Sequence, residues 1–274
     1  MSDTITDTVP RKPALAVRGL TCSFDGNAIL SGLDFEVEEG EIFVIMGSSG
    51  AGKTTLLRHL LGLSRPQLGE IDLLGEKLHP ASRERVYQLR RQLGVAFQHG
   101  ALINSMSVID NIELPLRQHT SLDRSTIRIM SRMKLELMNL AGFEDYMPAQ
   151  LSGGMLKRAG LARAVIMDPR ILFFDEPSAG LDPATAAELD TLILRLREVH
   201  NMTIVVVTHA LESAVKIADR IMIIGAGGIR AIGTLGEVQS EPDEYIQSLL
   251  QRRTLRREDD GDAYIDRLTA NIDD

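Results

Sequence analysis

Eight consecutive residues, Gly47, Ser48, Ser49, Gly50, Ala51, Gly52, Lys53 and Thr54, follow the order G-x-x-x-x-G-K-S/T, with Thr55 directly after. In that order the glycines let successive backbone N–H groups converge on phosphate oxygens, and a helix beginning at the lysine adds the partial positive charge of its N-terminus. Lys53 is placed to neutralise the β- and γ-phosphates of a nucleotide, and the Thr54 hydroxyl to ligate a magnesium ion. A second constellation is the apolar run Ile171 to Phe174 ending in Asp175 and Glu176. A strand of this type delivers both acids to the sheet edge where nucleotides sit in open α/β folds. Asp175 suits the magnesium shell and Glu176 the attacking water, since phosphoryl transfer needs positioning and charge stabilisation more than covalent help. A third is Leu151-Ser152-Gly153-Gly154-Met155 at the head of a helical pattern. Taken alone it is a serine N-cap with loop glycines. Beside a complete phosphate loop it reads as a second anion nest, turned toward a phosphate held by another subunit.

These groups need particular elements behind them. Ile42 to Met46 is a continuous apolar run, the pattern of a strand buried on both faces. It precedes the glycine loop, and a leucine-rich helix follows. Strand and helix patterns alternate again through residues 171–176, the helix after Pro183, TIVVVTH ending at His209, and RIMII, which predicts a parallel sheet with helices on both faces. Ahead of that sheet, two apolar stretches split by Asp25-Gly26-Asn27 predict an antiparallel pair. Residues from about 105 to 160 predict an inserted helical subdomain. Within it Ile127, Met130, Met133, Leu137 and Leu140 recur at spacings of three or four before Gly142, marking an amphipathic helix whose methionines pack in the core. The expected organisation is a flexible leader over 1–13, one catalytic domain over 14–236, and a C-terminal extension over 237–274. The apolar cluster of Tyr264, Ile265 and Leu268 is either part of a solvated tail or a docking segment.

Composition narrows the class. With 274 residues, 44% hydrophobic and 25% charged, the chain is of ordinary globular type and near the upper size of one domain. A net charge of −8 and the absence of tryptophan argue against a broad nucleic-acid grip. A single cysteine, Cys22, makes no intramolecular disulfide and points to a reducing compartment. The polar opening has no signal-peptide core and no run reaches about 18 apolar residues. The expectation is a chain that neither spans a membrane nor leaves the cytosol.

From Leu15 to about Gly236 the chain resembles the nucleotide-binding subunits of ABC transporters, through GSSGAGKT, Gln98, LSGGM, ILFFDEP, SAGLDP and His209 in family order. The resemblance implies an α/β P-loop NTPase fold with a parallel core sheet, an N-terminal antiparallel β-subdomain and an inserted helical subdomain. It implies ATP and Mg²⁺ as cofactors, and a homodimeric ATP sandwich. Phe24 then matches the aromatic that stacks on adenine, or is a strand core residue. Gln98 matches the glutamine that reaches Mg²⁺ and water; Ser152, Gly153 and Gly154 match the signature that closes over the partner's ATP. Asp182 matches a residue communicating between the two sites while also serving as a helix cap, and His209 the histidine that contacts the γ-phosphate. Met155 departs from the commoner glutamine, without disturbing backbone contacts to phosphate.

Within the family, FQHGAL, SVIDNI and LPLRQHT are most similar to the Mla-type ATPases that power phospholipid transport with MCE proteins. Ile103 departs from the phenylalanine often found there. That similarity implies a permease dimer, a small STAS-domain protein and an MCE-domain protein as partners, no nucleic acid, and a peripheral place on the cytoplasmic side of a bacterial inner membrane. An ATPase for small polar solutes keeps the transport class and changes the cargo. A soluble ABC ATPase of DNA repair or ribosomes is disfavoured, because this chain has neither two cassettes nor a long coiled-coil insertion.

Overall fold

The computed structural model describes residues 13–79 and 82–250. The chain enters on β1 (Pro13–Phe24) and returns antiparallel on β2 (Asn27–Glu38). Asp25 and Gly26 make the turn with φ of 48° and 80°, the paired positive values of a hairpin turn whose twist matches its strands. Next come β3 (Ile42–Met46), α1 (Lys53–Leu60), β4 (Leu68–Leu73) and β5 (Glu76–Lys77). β4 pairs antiparallel with β1, giving a four-stranded sheet in the order β2-β1-β4-β5.

After α2 (Arg83–Arg90) and β6 (Leu93–Ala96) the helical insertion begins with α3 (Val108–His119) and α4 (Arg124–Leu137). A 3-10 turn over Pro148–Gln150 leads into α5 (Gly153–Ala164). Then follow β7 (Ile171–Asp175), α6 (Pro183–His200), β8 (Thr203–Thr208), α7 (Leu211–Ile217), β9 (Arg220–Gly225), β10 (Gly228–Gly233) and α8 (Leu235–Ser240). The six-stranded sheet runs β10-β9-β3-β8-β7-β6, parallel throughout except for β10. β3 is its central element and is fully buried. Its alternate residues divide the protein into two cores. Ile42, Val44 and Met46 face the helices α3 to α6; Phe43 and Ile45 face α1 and the antiparallel sheet. This two-faced burial is why the run carries no polar residue.

Two expectations about the insertion are corrected. The buried stripe of α4 is Ile127, Ser131 and Leu135, continued by Met138 at its C-cap; Met130, Leu137 and Leu140 pack against the same core as expected, whereas Met133 is 63% exposed. Met133 lies six residues beyond Ile127, two-thirds of a turn off that stripe at 3.6 residues per turn. The helix ends at Leu137, and Asn139 with φ of 55° turns the chain, ahead of Gly142. At the other end, the boundary expected after Gly236 falls inside α8. A further helical run over 244–250 buries Ile246 and Leu249 against the same core as α8's Val238. Residues 1–12 of the expected leader and the cluster around Tyr264 lie outside the described residues. Among the described residues no helix is long and apolar enough to cross a membrane.

Candidate functional site at the carboxyl edge of the parallel sheet

Parallel register gathers the chemistry. Met46 pairs with Thr208, Asp175 with Val207, and Ala96 with Phe174. The residues just past each strand, the Gly47 loop, Glu176, His209 and the turn holding Gln98, therefore emerge along one edge.

The loop 47–52 is shaped by close approach. A Cβ on Gly47 would sit 2.5 Å from the Ile224 carbonyl, and one on Gly52, at φ 95°, would meet Ile29 and Leu30 at about 3 Å. Gly50 also takes positive φ, 82°. The loop can thus coil tightly, the Ala51 amide donating to the Ser48 carbonyl at 3.1 Å. Ser49, Gly50 and Thr54 are exposed; Ser48, Ala51, Gly52 and Thr55 are half-buried. Gly50, Gly52, Lys53, Thr54 and Thr55 line a cleft of about 350 Å³ together with Ile29 and Arg58. A larger cleft of about 540 Å³ lies between α3 and α4, lined by Glu113, Arg117 and Arg128 among others, so size alone does not single out the phosphate loop. Lys53 is buried and folds back, its Nζ donating to the Gly47 carbonyl at 2.8 Å and the Ser48 carbonyl at 3.1 Å. Burial holds its ammonium below the usual lysine range, while the charges of Glu176, Tyr245 and Asp175 oppose that shift.

Glu176 leaves the strand with φ of 50°, its N–H bonded to the Val207 carbonyl at 2.8 Å. Its carboxylate accepts from Thr208 Oγ1 at 3.2 Å and from the His209 amide at 3.3 Å, and lies 2.9 Å from His209 Nδ1 and 3.9 Å from Lys53 Nζ. Burial, then the neighbouring Glu176 charge, pushes the Asp175 carboxyl above the usual aspartate range, with Lys53 pulling the other way. Two acids in this half-buried edge are electrostatically suited to a cation. No group of three or more His, Cys, Asp or Glu residues arranged for a metal occurs among the described residues. Gln98 is half-buried in the turn after β6, two residues past Ala96 as Glu176 is two past Phe174.

Ser152 caps α5, accepting from the Met155 amide at 3.3 Å. Ser152 and Gly153 are exposed and, among the described residues, share no hydrogen bond with the phosphate loop. Gly154 abuts α6, where a Cβ would come 2.7 Å from Thr185 Cγ2. Asp182 caps α6 through the Ala184 and Thr185 amides, and its bonds to Thr185 hold its carboxyl below the usual range. Phe24 closes β1, its backbone paired with Asn27.

Three residues at this edge were not among the sequence candidates. Lys157 on α5 donates to the carbonyls of Pro177 and Ala179 at 2.6 Å each and of Glu176 at 3.3 Å. Thr208 is fully buried and holds Glu176. Tyr245 reaches the Ser48 amide at 2.9 Å from the C-terminal helical run. Thr208 was visible as the polar end of an apolar strand; nothing in local sequence marks the other two.

Comparison with known proteins agrees with this architecture. A family model described as ABC transporter matches residues 30–179. The chain is 40% identical over 237 residues to the intermembrane phospholipid transport system ATP-binding protein MlaF of Haemophilus influenzae, covering 86% of this chain and 90% of that protein. It is 39% identical over 250 residues to MlaF of Escherichia coli K12, with 91% of each chain covered. It is 41% identical over 247 residues to the probable ribonucleotide transport ATP-binding protein mkl of Mycobacterium leprae, covering 90% of this chain and 71% of that one. Among solved structures, a dimeric ATP-binding cassette in a post-hydrolysis state bound to ADP and Pi superposes with TM-score 0.75 at 29% identity, over 81% of this chain and 98% of that one. Another, cbiO1 from Clostridium perfringens, part of the ABC transporter complex cbiONQ, gives 0.78 at 26% identity over 90% and 98%. The chain belongs to the ABC transporter family and is one of its ATP-hydrolysing cassettes.

Proposed function

We propose that two copies of this chain bind Mg-ATP between them and drive a membrane permease that moves phospholipid between membranes. The observation that carries the catalytic part is the meeting of Lys53, Asp175, Glu176 and His209 at one sheet edge while Ser152 and Gly153 face solvent. In this reading Gly47 to Thr55 cradle the phosphates, Lys53 exchanges its two carbonyl partners for phosphate oxygens, and Phe24 stacks on adenine. Thr54, Asp175 and Gln98 hold magnesium, which neutralises phosphate charge when bound. Glu176 orients the attacking water as general base, with Thr208 and His209 fixing its carboxylate, and His209 also meets the γ-phosphate. Ser152, Gly153 and Gly154 complete the partner's site, and Asp182, capping α6 beside Gly154, communicates between the two.

Replacing Glu176 with Gln keeps shape and removes the base. Turnover should fall by ~10²-fold or more with ATP affinity intact; near-normal hydrolysis would remove Glu176 from the role.

Phospholipid as cargo is supported by the extent of similarity to the MlaF proteins. The similarity to mkl, whose name specifies ribonucleotides, keeps a small polar solute as the second reading. Integral permease subunits, a STAS-domain protein and an MCE-domain protein are the partners the phospholipid reading requires, at the cytoplasmic face of an inner membrane. Purifying the chain with its membrane partners and identifying the bound material separates the two: copurified phospholipid with an MCE subunit supports the first, and a lipid-free solute complex the second.

A further inference from the structure

Ser48 is a peptide unit held from both sides. Its carbonyl, with that of Gly47, accepts from Lys53 Nζ. Its N–H donates to Tyr245 Oη at 2.9 Å, and the same hydroxyl lies 3.1 Å from both Ser48 Oγ and the Ile224 carbonyl. The carbonyl can only accept, so the phenol proton goes to Ile224 while the two Ser48 donors point to the phenol oxygen. Ile224 is also the residue whose carbonyl leaves no room for a Cβ on Gly47. The start of the phosphate loop, the end of β9 and Tyr245 therefore close one small ring of contacts.

Tyr245 is itself firmly placed. Asp243 accepts from the Tyr245 amide at 2.8 Å and the Ile246 amide at 3.2 Å, and forms an ion pair with Arg230 of β10 at 2.9 Å. Ile246 is fully buried and Leu249 nearly so. The phenol ring lies against Gly225, where a Cβ would come 2.6 Å from a ring carbon. A residue near the end of the described chain thus carries a rigid hydroxyl to the phosphate loop.

We propose that Tyr245 is a positioning residue for nucleotide binding: its hydroxyl holds the Ser48 amide, keeping the loop open to phosphate when Lys53 leaves the Gly47 and Ser48 carbonyls. The inference rests on Gly47 to Thr54 being the phosphate loop. Both ADP and ATP present a β-phosphate to that loop, so losing the hydroxyl should weaken both alike. Such a loss of uniform binding raises KM and leaves kcat in place.

The test uses the full chain, titrated calorimetrically with Mg-ADP and with the magnesium complex of a non-hydrolysable ATP analogue. Tyr245→Phe keeps the ring against Gly225 and should raise both dissociation constants by the same factor, roughly three- to tenfold, the loss expected for one hydrogen bond. KM for ATP should rise by that factor with kcat within about twofold. Val238→Ala on α8 weakens the same core without altering the helical run that carries Tyr245; it should lower the melting temperature and leave nucleotide affinity within about twofold. Unchanged affinity in Tyr245→Phe, a fall in kcat without a change in affinity, or an equal loss of affinity in Val238→Ala would each overturn the proposal while leaving the phosphate-loop reading intact. Failure of the wild-type chain to bind either nucleotide would overturn both.

Discussion

Asp175 continues the line of β7, whereas Glu176 turns off it at positive φ, and the two adjacent acids acquire different surroundings. Glu176 is satisfied by Thr208 and His209; Asp175 is pushed toward its protonated form by burial and by Glu176. A carboxyl raised in the folded state binds its proton more tightly there than in the unfolded chain. Folding stability therefore falls as pH rises from the ordinary aspartate pKa through the raised one, and the loss persists above it. Asp175→Asn should melt higher than wild type at neutral pH without nucleotide, by roughly 2 °C or more. The gap should close as pH falls below the ordinary aspartate range. Melting curves across pH check this: a gap independent of pH, or a less stable Asn variant, contradicts it. The same substitution should abolish any stabilisation by magnesium beyond that given by nucleotide alone.

At the level of elements, α5 carries Ser152 at its head and Lys157 little more than one turn further along. Lys157 reaches across to the turn Glu176–Ala179, and burial lowers its ammonium pKa against the pull of Glu176. Three backbone carbonyls on one ammonium fix the strained turn from which Glu176 projects. Lys157→Met retains the stem and deletes the donors, so steady-state kcat should drop about tenfold with KM for ATP within twofold. Lys157→Arg should recover part of the loss. Equal rises in KM would show that the lysine serves nucleotide binding instead. Asn111 plays the comparable structural part in α3. It is fully buried, donating to the carbonyls of Ile103, Met106 and Ser107 and accepting from the Ile103 amide. It fixes the loop by which the turn at Gln98 enters the helical insertion, and Arg163 of α5 binds that loop at the Ala101 carbonyl.

For the whole molecule, Ser152 and Gly153 are exposed and are not among the residues lining the cleft at Lys53. If two chains share each site as proposed, hydrolysis should rise more steeply than linearly with protein concentration below the dimerisation range, while nucleotide binding per chain stays constant. Rates measured over that range, alongside the oligomer fraction by analytical ultracentrifugation, decide it. Strict proportionality wherever monomer dominates would contradict a shared site.

The sequence determined the parts whose cause is local. GSSGAGKT needs its glycines because the loop coils against Ile224, Ile29 and Leu30. Ile42 to Met46 is wholly apolar because both faces are buried, and Asp25-Gly26 is a turn because both residues take positive φ. Asp182 and Ser152 were legible as caps for the same reason. Of the set expected to pack, Ile127, Met130, Leu137 and Leu140 do and Met133 does not, since spacing alone does not tell which of the apolar residues in α4 faces the core, and packing against α3 and α5 adds Ser131 and Leu135 in its place. Tertiary structure alone decided which carbonyls Lys157 holds, which amide Tyr245 holds, and that 244–250 packs on the same core as α8. These contacts join residues nearly 20 and nearly 200 positions apart, and a side chain's partner across such a separation is set by the register of strands and the docking of helices, which no local spacing encodes.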